Sequence, residues 1–252
     1  MIIVHKRTNA FFSQKGKVAV SDKLKDADVL WRYVDTARFL DFLETKALFF
    51  CRGDQFEDKF EGAFTHSLRD AIESAYLSNK IDYTYESFKK ELRRRVFVNC
   101  WHNGRDDSMA MWKIYGQSPC AVALTTTVGR LKEALESQLL PYHLRIERVE
   151  YVKHWRDPKL NIKPYSRVFS YKTTAYAFEK EVRVILDRSL DDAQDAVLET
   201  GIPVPISVPK LLRSVVISPE APKWFSNLVT LVAARYGLQA DVRHSKLSLE
   251  PV

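Results

Sequence analysis

Tyr176-Ala-Phe-Glu-Lys-Glu-Val-Arg-Val-Ile-Leu186 is the stretch from which the fold can be worked out. Successive side chains of a strand point to opposite faces of the sheet. As a strand, the stretch puts Phe178, Lys180, Val182, Val184 and Leu186 on one mostly apolar face, suited to a core. The other face carries Glu179, Glu181, Arg183 and Ile185. Two carboxylates and a guanidinium become same-side neighbours. Arg183 can brace Glu181 and leave Glu179 free to act on a ligand. The same alternation also fits a solvent-facing ladder of paired charges.

Other strands are read around it. Val29–Tyr33 (VLWRY), Ala47–Cys51 (ALFFC) and Val96–Trp101 (VFVNCW) are rich in β-branched and aromatic residues. Ala121–Leu124 is a short buried strand, Arg145–Val152 alternates, and Ser214–Ile217 follows prolines at 203, 205 and 209 that break the chain. Helices are expected after a cap at Asp35 or Thr36, near 66–78 and 85–95, from Asp106 or Asp107 through Tyr115, after Thr126 or Thr127, and from Pro222 to Tyr236. Strands and helices mix without regular βαβ alternation. The pattern predicts an α+β fold: a single domain with a central mixed or split antiparallel sheet flanked by helices. The domain is expected over 29–252, with 1–28 as an N-terminal arm.

Composition sets bounds. The chain has 252 residues, 46% of them hydrophobic, enough for one substantial core. The net charge of +7 favours anionic partners, nucleotides or nucleic acid, through a basic surface. Three cysteines without a Cys-x-x-Cys pair fit a reducing compartment and no cysteine-rich zinc module. No apolar run approaches the roughly 20 residues that span a bilayer, and the start lacks a signal-peptide pattern. A cytoplasmic protein with no membrane partner is expected. Only 8 glycines and no G-x-x-x-x-G-K-[ST] run argue against a phosphate loop. No metal is predicted: Cys100 and His102 share a face but lack further ligands.

Three other stretches could carry chemistry. On a helix, Ser108, Met111, Trp112 and Tyr115 share one face by their spacing. That face suits stacking on a base or nicotinamide ring, or equally plain core packing. In Asp54-Gln-Phe-Glu-Asp-Lys-Phe-Glu-Gly62, Phe56 and Phe60 are expected to anchor a loop while Glu57, Asp58 and Glu61 project outward. The basic run Lys89 to Arg95 lies on a helix, where neighbouring residues diverge by about 100°, so it reads as a solvated helix end.

In order and spacing, several of these motifs resemble the bacterial family named domain of unknown function 2971. They are Leu30-Trp31-Arg32-Tyr33, Phe56 to Glu61, Cys100-Trp101, Met111-Trp112-Lys-Ile-Tyr115 and Phe178-Glu179-Lys-Glu181-Val-Arg183. The family's usual Asn-Asp-Pro is here Glu57-Asp58-Lys59. A second resemblance is to mono-ADP-ribosyltransferases, by the order Arg32, then Thr125 or Tyr115, then Glu179 and Glu181. It implies NAD as substrate and a role as a toxin or antiviral defence effector. Arg32 and Tyr33 would then hold the dinucleotide, with Ser108, Trp112 and Tyr115 beside the nicotinamide. Glu181 would stabilise the oxocarbenium-like centre and Glu179 would position the acceptor. Two other functions compete: a non-catalytic nucleic-acid or nucleotide binding module, and a metal-dependent nuclease using Asp58, Glu61, Glu179 and Glu181.

Overall fold

The computed structural model describes residues 16–58, 60–153, 156, 159–189 and 200–248. Ile2–Val4 and the rest of the first fifteen residues lie outside them. Strands β1 (Val18–Val20), β2 (Val29–Asp35), β3 (Ala47–Arg52), β4 (Val96–Asn103), β5 (Ala121–Thr127) and β6 (His143–Arg148) belong to one ten-stranded sheet. A separate parallel pair, β7 (Glu150–Val152) and β8 (Tyr171–Thr173), stands apart from it. The large sheet is completed by β9 (Glu181–Asp187), β10 (Gly201–Pro205), β11 (Ser214–Ile217) and β12 (Asp241–His244). The helices are α1 (Thr36–Thr45), α2 (His66–Leu77), α3 (Tyr85–Arg95), α4 (Met109–Met111), α5 (Val128–Glu136), α6 (Val208–Leu211) and α7 (Lys223–Arg235).

The sheet order is β1-β6-β9-β4-β2-β5-β11-β12, with β3 on β4 and β10 on β3. β1 with β6 and β11 with β12 run parallel, and the other pairs run antiparallel. The fold is thus α+β, with one mixed sheet flanked by helices. The sheet is also split: β4 pairs with β3 at Phe97 and Val98 but with β2 at His102 and Asn103. Side chains fill the fork. Arg32 Nη1 donates to the Cys100 carbonyl (2.8 Å), and Asn99 Nδ2 donates to the Phe49 carbonyl (2.8 Å). Backbone carbonyls that would otherwise be orphaned are satisfied in this way.

Local chemistry explains most boundaries. Asp35 caps α1 by accepting from Arg38 N–H, and Thr127 caps α5 by accepting from Arg130 N–H. Three expectations need correction. Arg145–Val152 is two strands: β6 follows β9 as far as Val149, whose N–H bonds the Glu181 carbonyl, and Glu150–Val152 then pairs with β8 instead. The prolines at 203 and 205 lie within β10, which among the described residues pairs only with β3; an edge strand tolerates a residue without a donor. Val18–Val20, inside the segment read as an arm, is a sheet strand beside β6.

The two faces of the sheet differ. One packs Leu30, Val34, Val122, Val182, Val184 and Leu186 against α1, α5, α6 and α7 in a continuous core. Each such buried aliphatic contributes roughly 1.5–3 kcal/mol. The other face carries two apolar clusters. One centres on Val98, Ile185, Phe169 and α3, the other on Trp31, Tyr33, Trp112 and Ala123. Between them, on β9 and β4, the register sets Arg183 beside Cys100 and Glu181 beside His102. A polar seam therefore divides the two clusters.

Candidate active site

The seam is built by β9 and by the turn before it. β9 begins only at Glu181. Residues Thr174–Glu179 form a 3-10 turn, and Lys180 takes a left-handed conformation (φ 44°). The expected run from Phe178 is corrected accordingly: Phe178 is 47% exposed, whereas Val182, Val184 and Leu186 do face the core. The turn still delivers Glu179 to the same place as Glu181. Both bond Lys172 Nζ, at 2.6 and 3.6 Å. A solvent-facing ladder does not describe these charges, because Glu179, Glu181 and Lys172 are buried and Arg183 is 0% exposed.

A third carboxylate joins them. Glu61 lies 3.2 Å from Lys172 Nζ and 3.1 Å from Arg183 Nη2. The loop was expected to turn Glu61 outward and Phe60 inward; the structure does the reverse, with Glu61 3% exposed and Phe60 exposed. The loop's glycines account for this. Gly62 has φ +68°, and a Cβ there would lie 2.7 Å from the Phe169 ring; one at Gly53 would lie 2.5 Å from it. Only glycine lets the loop press onto Phe169 and carry Glu61 beneath it. Phe56 lies under Arg183, 5.3 Å from ring centroid to guanidinium carbon. Arg183 also donates to the Phe169 carbonyl (2.8 Å) and to Glu181 (2.8 Å). Glu61 Oε2 is buried without a hydrogen-bond partner.

Among the described residues, three carboxylates share two cations, Lys172 and Arg183, leaving one formal negative charge in excess. Burial raises the Glu181 pKa, but Arg183 and Lys172 outweigh it and hold the group below the usual carboxylate value. Glu181 is a fixed negative charge rather than a proton donor. The same pairing lifts Arg183 and Lys172 above their ordinary values despite burial. Burial, helped by Glu181, pushes the Cys100 thiol well up, so it is no thiolate nucleophile at neutral pH. Burial lowers the His102 imidazole, leaving a neutral ring whose Nδ1 donates to the Glu179 carbonyl (2.6 Å).

Tyrosines cover the seam. Tyr115 Oη donates to Glu179 Oε1 (2.8 Å) while its side chain remains 38% exposed. Burial and Glu179 push its phenol up, so it stays protonated. Tyr151 Oη accepts from Glu181 N–H (2.8 Å), and its pKa is pushed up to about 12, chiefly by burial. The ring of Tyr176 lies 4.5 Å from Lys172 Nζ.

The expected cofactor-binding residues divide into two groups. Tyr115 reaches the carboxylates. It does so because the helix expected from Asp107 is only one α turn, Met109–Met111, followed by a π turn, Trp112–Gly116. Such π turns recur at functional sites. Tyr33 and Trp112 instead pack edge to face with each other (4.8 Å) and are buried. Tyr33 Oη accepts from Ser108 N–H, and Trp112 Nε1 donates to Asp107. Arg32 lies in the sheet fork, and burial lowers its pKa. The polar atoms of Arg32, Tyr33 and Trp112 bonded here serve internal contacts.

Lys172, Tyr151 and Cys100 complete the cluster and escaped the sequence reading. Lys172 arrives on β8, whose three residues carry no strand signal of their own. Cys100 was visible as a same-face neighbour of His102 and in the Cys100-Trp101 motif, but not as a neighbour of the carboxylates. Among the described residues no group of His, Cys, Asp and Glu is arranged to hold a metal ion. Where the carboxylates converge, the Lys172 ammonium stands.

No family model matches the chain, and no curated protein matches it. The resemblance to domain of unknown function 2971 therefore rests on the sequence motifs alone. Two solved structures are similar. DarT of Thermus sp. 2.9 in complex with carba-NAD+ aligns over 88% of this chain and 97% of its own, with 8% identity and a TM-score of 0.40. DarT of Thermus sp. 2.9 in complex with ADP-ribosylated ssDNA aligns over 90% and 98%, with 10% identity and a TM-score of 0.41. Likeness at that level carries no functional argument, which rests on the site itself.

Proposed function

We propose that the chain is an ADP-ribosyltransferase-like enzyme that breaks the nicotinamide–ribose bond of NAD and passes ADP-ribose to an acceptor or to water. The observation that carries this reading is the convergence, among the described residues, of three carboxylates, Glu61, Glu179 and Glu181, around two cations, Lys172 and Arg183, under Tyr115. An excess of buried negative charge suits a substrate that carries a pyridinium and passes through a cationic ribosyl centre. The C1′–N bond breaks and its electron pair leaves with nicotinamide, which becomes neutral. Glu181, held ionised, stabilises the positive charge left at C1′. The acceptor's oxygen or nitrogen then bonds C1′ and gives up its proton to solvent, with Glu179 and the Tyr115 hydroxyl orienting it. The net positive charge of the chain fits an anionic substrate.

Incubation of the purified protein with NAD tests the reading by chromatography of nicotinamide and ADP-ribose. Nicotinamide release above the rate of an E181Q/E179Q double variant is the expected result. Its absence from the wild type, together with tight binding of single-stranded nucleic acid, would move the weight to a non-catalytic binding module.

A further inference from the structure

A second polar feature opens on the same side of the sheet. It is a cavity of about 110 Å³ walled by Trp31, Thr125, Arg105, Arg213, Arg243 and Lys246. Two acids, Asp106 and Asp107, also line it. Asp107 is engaged by Trp112 Nε1 and by the Ser245 hydroxyl, and Asp106 faces Lys246 only at 4.0 Å in solvent. Arg105 and Arg213 make no side-chain ion pair among the described residues. Arg243 lies over the Trp31 ring at 5.8 Å. Four cations against two acids, one of those already occupied, leave the cavity positive. Folding does not require these arginines to gather, since like charges brought together repel.

We infer that this cavity binds the diphosphate of a nucleotide. Guanidinium groups match phosphate oxygens through paired N–H donors, which a sheet of water or a single lysine does not reproduce. The volume lies well below the roughly 300–1,000 Å³ of pockets that enclose a whole drug-sized ligand. It takes a phosphate or a diphosphate, with the nucleosides outside. The position relative to the carboxylates follows from the register. Glu181 neighbours His102, His102 neighbours Trp31, and Trp31 neighbours Thr125, on four adjacent strands. At about 4.8 Å per strand, Trp31 is ~10 Å and Thr125 ~14 Å from Glu181. If the proposed function holds, the diphosphate is that of NAD, with its glycosidic bond toward the carboxylates. The binding inference itself rests only on the cavity.

The test is isothermal titration of ADP and of inorganic pyrophosphate into the wild type, an R213Q/R243Q double variant and E181Q, with thermal melting to confirm folding. Expected are binding of both ligands to the wild type, at least about tenfold weaker binding to the double variant, and unchanged ADP binding to E181Q. Failure of the wild type to bind either ligand overturns the inference, as does equal affinity in the double variant. So does binding of a single-stranded oligonucleotide alone. If ADP binds as expected but NAD is not cleaved, the cavity stands and the catalytic reading falls. If NAD is cleaved with the same KM by wild type and double variant, the catalytic reading stands and the cavity inference falls.

Discussion

Glu181→Gln keeps shape and volume and removes one charge, and the structure sets two magnitudes for it. Glu181 is bonded by Arg183 at 2.8 Å and lies 3.6 Å from Lys172, all three being buried. Breaking a buried ion pair from one side costs about 3–5 kcal/mol, because the partner's charge stays behind. Glu61 remains 3.1 Å from Arg183 and shares that charge, which favours the lower end. For a domain of this length such a loss lowers Tm by about 6–20 °C, leaving it folded if its stability is a typical 5–15 kcal/mol. Loss of a preorganised charge at the reacting centre should cost a further 2.7–4 kcal/mol or so of barrier, about 10²–10³ in turnover. The control is Ile185→Ala, four residues along the same strand and in the neighbouring apolar cluster, which costs roughly 2–5 kcal/mol by cavity formation. Melting curves and NAD turnover are compared at a temperature where both variants are folded. Matched melting with turnover lost only in E181Q is expected. Turnover lost equally in both, or retained in E181Q, refutes the assignment of Glu181 to the reaction.

Tyr115→Phe removes the hydroxyl that Glu179 accepts; stability should fall by only about 0.5–1.5 kcal/mol, while NAD turnover falls by about tenfold or more, read by the same nicotinamide assay. The pH dependence of stability has a fixed sign. Glu181's folded pKa lies below its unfolded value, so its contribution is complete above pH ~4.5 and vanishes as pH falls through the folded value. Acid titration of urea-unfolding stability should therefore be less steep below that pH in E181Q than in the wild type. Cys100 should resist alkylation by iodoacetamide at pH 7.5 in the folded protein and react only on unfolding, as peptide mass mapping would register. Cys100→Ser should retain NAD turnover, since the thiol stays protonated and is not the nucleophile.

Periodicity carried the sequence reading where the residues themselves were periodic. Val182, Val184 and Leu186 face the core as alternation requires, α1 and α5 form after the caps read for them, and α3 covers the stretch read as helical near 85–95. It failed where backbone geometry broke the period. Lys180 at positive φ broke the alternation two residues after Phe178, so Phe178 turned outward. The π turn at Trp112–Gly116 moved Tyr115 off the face expected for a straight helix. The outward orientation assigned to Glu61 was overturned by two glycines whose value is set by Phe169, more than a hundred residues away. Lys172 was invisible for the same reason. What makes it central is three carboxylates delivered by a loop, a turn and a strand, and none of these lies next to it in the chain.

Stability alone does not account for the seam. Apolar clusters lie on both sides of it, around Phe169 and around Trp112, and an apolar filling of similar volume would have joined them into one core. Replacing buried ion networks by well-packed apolar groups is often neutral or stabilising by about 1–4 kcal/mol. A purely structural network would also pair its charges and satisfy its oxygens. Among the described residues the carboxylates here outnumber the cations, and Glu61 Oε2 is buried without a donor, a condition that costs on the order of 1–3 kcal/mol. Covering the cluster are tyrosines that keep their protons, one of them 38% exposed and bonded to Glu179. A bound molecule that brings positive charge and a hydroxyl donor would satisfy both deficits at once. The ribosyl end of NAD brings both, and that complementarity, rather than the fold, is the reason to seek the activity at Glu181.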